Sequence, residues 1–298
     1  MKYKRYTLSA LMLVIALAAI FFFANAGFSS WREIAGSSLQ LNYYLLALSV
    51  GLGIASLLAL SSGYYFLNRR MGIAIPFWKL VKARAFSDIS SYVPGKIWAL
   101  LTRMKYMKQW ASRTEVIISS YLELAALILS ALFAFIVLNM IYLGVFAEYA
   151  LISYAALPVC IIFMHPKVVS FVINIGLKIL KKEKISIPLS YRSIILANVI
   201  YSSYWLLTGL AIFFLTLSIY PVSGAYFPFI VLSYAVAWTL GFLSMIFPGG
   251  IGIREGVMVY ALSIFLPLPV AMVVSVCSRG IIIISQLIFA SVSWLAQI

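Results

Sequence analysis

The sequence predicts an all-α polytopic membrane protein with about six spanning helices, two re-entrant broken-helix hairpins and an inverted repeat. Of its 298 residues, 64% are hydrophobic and only 10% are charged, which excludes a soluble domain. The apolar runs are continuous rather than alternating, which favours spanning helices over a β-barrel. Two Pro-Gly motifs interrupt apolar segments, and they predict the hairpins.

The apolar runs place the six spans at about residues 8–26, 43–67, 116–141, 149–164, 193–219 and 270–297. Lys and Arg number 22 against 7 acids, for a net charge of +15. In a membrane protein, such residues mark short cytoplasmic loops. We therefore expect a retained first span, both termini in the cytoplasm, and a cytoplasmic basic stretch that includes Arg84. Residues 167–184 repeat apolar positions at helical spacing and predict a helix lying flat on the inner leaflet.

The first broken segment, "FWKLVKARAFSDISSYVPGKIWALLTRMKYMK" (77–108), is basic at both ends and interrupted at Pro94-Gly95. It predicts a hairpin that enters and leaves on the cytoplasmic side. The alternative is a pair of surface helices joined by a proline turn. The second, around Pro248-Gly249-Gly250, has uncharged flanks and predicts a hairpin that enters from outside.

The two breaks resemble each other, because "YVPGKIWALLTR" aligns with "IFPGGIGIREGV" and each follows two predicted spans. We therefore expect a single membrane domain over 1–298, with inverted pseudo-repeats of about 1–146 and 147–298. Inverted repeats with broken helices are typical of transporters.

A helix that begins inside the membrane exposes unpaired N–H groups and its positive dipole end, and so can bind an anion. Lys96 and Arg254 add positive charge at the two breaks. Glycines there allow close backbone approach. In the alternative interpretation the breaks only turn the chain, and Glu255 is a first-turn acid paired with a neighbouring arginine.

Charged side chains at membrane depth usually mark function. Glu123 extends a polar stripe with Ser119 and Ser130, and Arg279 lies near the middle of the last span. We expect a polar cavity that admits an anionic headgroup; the alternative is a set of buried ion pairs that fix helix packing. Arg103 is expected at the interface. The candidate substrate-binding residues are Pro94, Gly95, Lys96, Arg103, Glu123, Pro248, Gly249, Gly250, Gly252, Arg254, Glu255 and Arg279.

No catalytic motif is found, and neither a metal nor a cofactor is expected. His165 is the single histidine, and no cluster of cysteines or carboxylates accompanies it. Cys160 and Cys277 fall in apolar stretches and are expected to be thiols.

The motifs "SYVPGKIWALLTR" and "FPGGIGIREGVMVYAL" resemble the lysylphosphatidylglycerol synthase transmembrane-region family of flippase-like membrane proteins, over nearly the whole chain. The sequence departs from the pattern of many relatives at Trp98 and Ala99, where a Gly-Glu pair is common. Full-length synthases carry a soluble aminoacyl-transferase domain after the membrane region. The sequence ends at Ile298, after its last predicted span, so the resemblance implies lipid translocation rather than synthesis of an aminoacyl lipid.

We therefore expect a flippase that moves an anionic phospholipid or lipid-linked glycan headgroup across the cytoplasmic membrane of a prokaryote. The alternatives are an accessory subunit of envelope polysaccharide or glycolipid assembly and a polyprenyl-phosphate-dependent glycosyltransferase. Expected partners are membrane lipids, a separate transferase or glycan-assembly proteins, and a second copy of the chain. Nucleic acid is not expected.

Overall fold

A computed structural model of the chain describes residues 41–93, 97–141, 165–179, 189–244, 250 and 252–295, with the single positions 25, 29, 155, 158 and 162. Over these residues the regular structure is helical throughout. The helices are α1 (Tyr43–Arg70), α2 (Phe77–Ser90), α3 (Ile97–Met107), α4 (Arg113–Ile141), α5 (Pro166–Ile179), α6 (Tyr191–Ile219), α7 (Phe227–Leu243), α8 (Ile253–Leu262) and α9 (Leu268–Leu295), with a 3₁₀ turn at Gly224–Tyr226 before α7.

Five segments within the described residues are long and apolar enough to cross a membrane: Tyr43–Arg70, Arg113–Leu138, Tyr191–Ile219, Gly224–Leu243 and Leu268–Leu295. Four lie where the sequence predicts spans, and α1, α4, α6 and α9 begin and end within about three residues of the predicted bounds. The polytopic all-α class is thus confirmed. The predicted spans at 8–26 and 149–164 lie outside the described residues, apart from single positions.

Both predicted hairpins contain two helices separated by a break. In the first, α2 and α3 flank residues 94–96, which are not described. In the second, α7 packs against α8. The arms of the second are unequal: with its 3₁₀ turn, α7 covers 20 residues and is long enough to cross. The 10 residues of α8 reach about 15 Å, half of a hydrocarbon core. That these helix pairs form re-entrant hairpins, and the side from which each would enter, stay predictions.

The described residues belong to two compact units that interleave along the chain. Unit 1 draws on Met1–Ile54, Ser87–Ala99 and Thr208–Phe289. Unit 2 draws on Ala55–Phe86, Leu100–Leu207 and Ala290–Ile298. The units therefore do not follow the predicted repeat boundary, and the repeat itself stays a prediction.

Unit 1 is held together by small polar contacts between helices. The Ser49 hydroxyl of α1 donates to the carbonyl oxygen of Ala211 in α6 at 2.6 Å. The Ser285 hydroxyl of α9 donates to the carbonyl oxygen of Val50 at 3.2 Å. A Cβ at Gly53 would overlap the Ser285 side chain, so this glycine permits the close approach of α1 and α9.

In unit 2 a polar face of α4 packs against a polar face of α6. The Trp205 indole N–H of α6 donates to the carbonyl oxygen of Leu127 and to the hydroxyl of Ser130, each at 3.0 Å. The Ser202 hydroxyl donates to the carbonyl oxygen of Ser130 at 3.3 Å. These side chains are buried, as is Asn198 on the same face. The polar stripe of α4 predicted from Ser119, Glu123 and Ser130 is thus buried.

The predicted surface helix is present as α5, which covers Pro166–Ile179. Its apolar side chains Phe171 and Ile175 are 66% and 46% exposed. Lys167 and Lys178 are exposed as well. An exposed apolar face with basic residues fits a helix in the lipid interface, and this placement stays a prediction.

Candidate functional site

Each unit contains a cluster of two arginines and one glutamate; all three side chains are buried in unit 2, whereas in unit 1 only the glutamate is. The unit 2 cluster consists of Arg84 from α2, Arg103 from α3 and Glu123 from α4, so it joins both arms of the first hairpin to the next span. Arg84 Nε lies 3.2 Å from Glu123 Oε1, and Arg103 Nη1 lies 2.5 Å from Glu123 Oε2. The arginine side chains are 8% exposed and the carboxylate 4%. Two guanidinium groups against one carboxylate leave one formal positive charge.

Polar and aromatic groups complete the surroundings of the unit 2 cluster. Arg103 Nη1 also donates to the Ser120 hydroxyl at 3.1 Å. Its guanidinium carbon lies 4.6 Å from the centre of the Tyr64 ring, a cation–π distance. The Tyr64 hydroxyl shares a hydrogen bond of 3.0 Å with the Ser119 hydroxyl. The side chains of this cluster thus find short-range partners within the unit, which is how buried charges are tolerated.

The unit 1 cluster consists of Arg254 and Glu255 from α8 and Arg279 from α9. Glu255 caps its own helix, because its Oε2 accepts a hydrogen bond from the Gly252 backbone N–H at 2.6 Å. Its Oε1 lies 3.8 Å from Arg279 Nε, an ion-pair distance but longer than a hydrogen bond. The Ser275 hydroxyl of α9 donates to the Glu255 backbone carbonyl oxygen at 2.9 Å. The alternative interpretation of Glu255 as a first-turn acid beside an arginine therefore describes its geometry.

Two glycines of the second predicted hairpin make room for the Arg254 side chain. A Cβ at Gly241 of α7 would overlap Arg254 Cγ and lie 2.8 Å from its Nε. Gly250 has a φ of +72°, and a Cβ there would lie 2.8 Å from the Gly241 Cα. Only glycine suits such a close approach at a left-handed position. The Arg254 guanidinium carbon lies 5.6 Å from the centre of the Trp238 ring, so an aromatic face covers it.

A small cavity adjoins the unit 1 cluster. Its lining is formed by Tyr234, Ala237, Arg254, Glu255, Met258, Ser275, Ser278, Arg279 and Ile282. The volume is about 10 Å³, which is room for one water molecule. A lipid headgroup does not fit this cavity unless the helices around it separate. The arginines, the glutamate and two serine hydroxyls nevertheless converge on one space.

The structure places the predicted site residues in different ways. It brings Gly250, Gly252, Arg254, Glu255 and Arg279 together in unit 1. Glu123 and Arg103 meet in unit 2, where Arg103 is 6% exposed and contacts protein groups; the interfacial depth expected for it stays a prediction. Pro94, Gly95, Lys96, Pro248 and Gly249 lie outside the described residues.

Arg84 of the unit 2 cluster and Tyr92 beside the unit 1 cluster were not predicted from the sequence. Arg84 was assigned to a cytoplasmic basic stretch, yet it is 7% exposed and pairs with Glu123. The sequence did contain a signal for Arg84, because a buried carboxylate such as Glu123 needs a counter-charge. Arg84 is the arginine of α2, the first helix of the first predicted hairpin. Tyr92 was not among the predicted site residues. Its ring centre lies 5.1 Å from the Arg279 guanidinium carbon.

Long apolar helices with charged side chains buried among them define a multi-pass membrane protein. A family model described as the lysylphosphatidylglycerol synthase TM region matches residues 9–290. The chain belongs to this family, as the resemblance of its Pro-Gly motifs implied. No curated protein matches the chain.

Proposed function

We propose that the protein is a flippase that moves a lipid with a phosphate-bearing headgroup, an anionic phospholipid or a lipid-linked glycan, between the leaflets of the prokaryotic cytoplasmic membrane. The observation that supports this most directly is the unit 1 cluster. Its two arginines and one glutamate line a cavity, and the Glu255–Arg279 pair is held at 3.8 Å. Guanidinium groups match the oxygens of a phosphate in two-pronged geometry.

The two clusters differ in how tightly their charges are paired. In unit 2 both arginines contact the carboxylate at 3.2 Å or less. In unit 1 the Arg279 side chain is 15% exposed, and its carboxylate partner also caps a helix. A phosphate can compete for a guanidinium in a loose pair at smaller cost than in a tight, buried pair. We therefore assign the headgroup to unit 1, and we assign Arg84, Arg103 and Glu123 to holding unit 2 together.

The binding groups in this proposal are side chains rather than a bare helix terminus. The N-terminus of α8 is already occupied by the carboxylate of Glu255, which accepts from the Gly252 N–H. A headgroup phosphate would bind the N–H edges of the Arg254 and Arg279 guanidinium groups. The negative charge of Glu255 would lower the total negative charge that the site can bind. Because the cavity admits one water, movement of a headgroup requires opening of the helices, as in alternating access. The sequence offers no nucleotide-binding motif, so movement would be downhill, ion-coupled or driven by a partner.

Reconstitution tests this function directly. Purified chain is placed in phosphatidylcholine liposomes that carry fluorescent phosphatidylglycerol in both leaflets, and dithionite bleaches the outer leaflet. We expect bleaching to continue past the outer-leaflet fraction when the protein is present. Arg254→Gln and Arg279→Gln should each slow this second phase by about tenfold or more, because each loses charged hydrogen bonds to the phosphate. Arg113→Gln, at the exposed start of α4, is the matched control and should keep the rate of the unaltered chain.

Two results would reject the proposal. If purified protein moves no labelled lipid, the translocase function is wrong, and a role as an accessory subunit of glycan assembly becomes the better interpretation. If lipid moves but the two cluster variants behave like Arg113→Gln, transport exists without the unit 1 cluster. In that case another part of the chain must bind the headgroup.

A further inference from the structure

Tyr92 lies in the turn that follows α2, just before the break of the first predicted hairpin. Its backbone N–H donates to the carbonyl oxygen of Ile89 at 3.2 Å, and the Val93 N–H donates to that of Ser90 at 3.2 Å. These bonds continue the end of α2 for a further turn and hold the base of the Tyr92 side chain. The residue belongs to unit 1, as does the cluster of Arg254, Glu255 and Arg279.

The Tyr92 side chain makes two contacts with α9. Its ring centre lies 5.1 Å from the Arg279 guanidinium carbon, and its hydroxyl donates to Gln286 Oε1 at 2.7 Å. Arg279 and Gln286 are seven residues apart in sequence, so they stand two turns apart on one face, about 10 Å along the helix. Tyr92 therefore lies along α9 and bridges the two side chains.

The Tyr92 ring limits the orientations open to Arg279, because the guanidinium carbon lies over the ring at a cation–π distance. A guanidinium group stacked on an aromatic ring presents its face to the ring and keeps its N–H donors in the plane of its edge. The edge of Arg279 carries the Nε that lies 3.8 Å from Glu255 Oε1. The same edge must meet a phosphate in two-pronged binding. The hydrogen bond to Gln286 in turn restrains the ring.

We infer that Tyr92 is a positioning residue of the unit 1 cluster: its ring holds the Arg279 guanidinium so that the N–H edge faces the bound phosphate, and Gln286 anchors that ring. The inference rests on the proposed function, because it assigns a phosphate-bearing ligand to the cluster. It adds that the first hairpin contributes directly to the headgroup site. Tyr92 acts through Arg279 and makes no bond to the phosphate itself.

Binding to the full chain in detergent tests this role separately from transport. The probe is dioctanoyl phosphatidylglycerol, titrated calorimetrically. Tyr92→Leu removes both the ring and the hydroxyl, and it should raise the Kd about tenfold. Tyr92→Phe keeps the ring and should raise the Kd about threefold, which amounts to rescue by the conservative variant. Gln286→Leu should match Tyr92→Phe, and the double variant should add nothing further, because both remove one hydrogen bond.

Tyr260→Leu is the control, because it makes the same change at a tyrosine of α8 that is 76% exposed. A purely structural role for Tyr92 would lower the fraction of folded protein and hence the stoichiometry, with the Kd unchanged. That result, or equal Kd values for Tyr92→Leu and Tyr260→Leu, overturns the inference. No binding by the unaltered chain overturns the inference together with the phosphate site. If the variants change the Kd as expected but the protein moves no lipid in liposomes, only the flippase function is overturned. The role of Tyr92 is then upheld.

Discussion

Replacing Glu123 with glutamine tests whether the unit 2 cluster holds its part of the protein together. The change keeps the size of the side chain and removes the single negative charge between Arg84 and Arg103, which lie 3.2 and 2.5 Å from it. At an effective dielectric constant of about 20, a pair 4 Å apart is attracted by about 4 kcal/mol. Desolvation offsets much of that gain in the intact cluster. Once the carboxylate is gone, two guanidinium groups with side chains 8% exposed keep the desolvation cost and repel each other.

Removing one partner of a buried ion pair costs about 3–5 kcal/mol, and we expect Glu123→Gln to fall in this range. In thermal unfolding of the detergent-solubilised protein, this corresponds to a fall in Tm on the order of 10 °C. Glu115→Gln is the control on the same helix. Glu115 accepts a capping hydrogen bond from the Ser112 N–H at 2.7 Å, and glutamine can keep this cap. Adding Arg84→Met to Glu123→Gln should recover part of the loss, since it removes one stranded cation. Equal Tm values for Glu123→Gln and Glu115→Gln would refute this reasoning.

Two further substitutions test the packing around the clusters. Gly241→Ala should displace Arg254 and destabilise the protein by about 1–3 kcal/mol. Gly280→Ala is the control and should be nearly neutral, because a Cβ there meets nothing within 4 Å. Equal Tm values for the two variants would contradict the close packing of Gly241 against Arg254. Trp205→Phe should lower the stability by about 1–2 kcal/mol through loss of the indole N–H and of packing volume, whereas Trp78→Phe, at a side chain 50% exposed, should have little effect in the same assay. A larger effect at Trp78 would count against the buried contact of α4 with α6.

Local sequence features predicted the described spans well, because hydropathy and length decide whether a helix can cross a membrane. This is why α1 and α6 begin and end close to their predicted bounds. Glu255 was also accessible to sequence reasoning. A glutamate three residues after a glycine at a helix start satisfies the local capping rule, and the structure shows that hydrogen bond at 2.6 Å.

The composition of the clusters was harder to predict, because it depends on contacts between distant residues. Arg84 fits a cytoplasmic basic stretch as long as Glu123, 39 residues further on, is not known to be its neighbour. Arg103 was expected at the interface for the same reason. Tyr92 carries no local signal that separates it from the other 18 tyrosines of the chain. Its contacts with Arg279 and Gln286 span nearly 200 residues, and no pattern of spacing or propensity reports a contact over that separation.

The long-range hydrogen bonds of unit 1 have a consequence for biosynthesis. The acceptor of the Ser49 hydroxyl lies 162 residues further along the chain, and the Ser285 donor to the Val50 carbonyl lies 235 residues after Val50. At about 5–20 residues per second, the ribosome takes on the order of 10 s to make the first of these acceptors and longer to make the second donor. During that time the Ser49 hydroxyl lacks its acceptor in α6, and the Val50 carbonyl has only its hydrogen bond within α1. Nascent chains arrested before α6 should therefore be protease-sensitive, and they should be natural clients for insertases that shelter polar helices until the last span emerges.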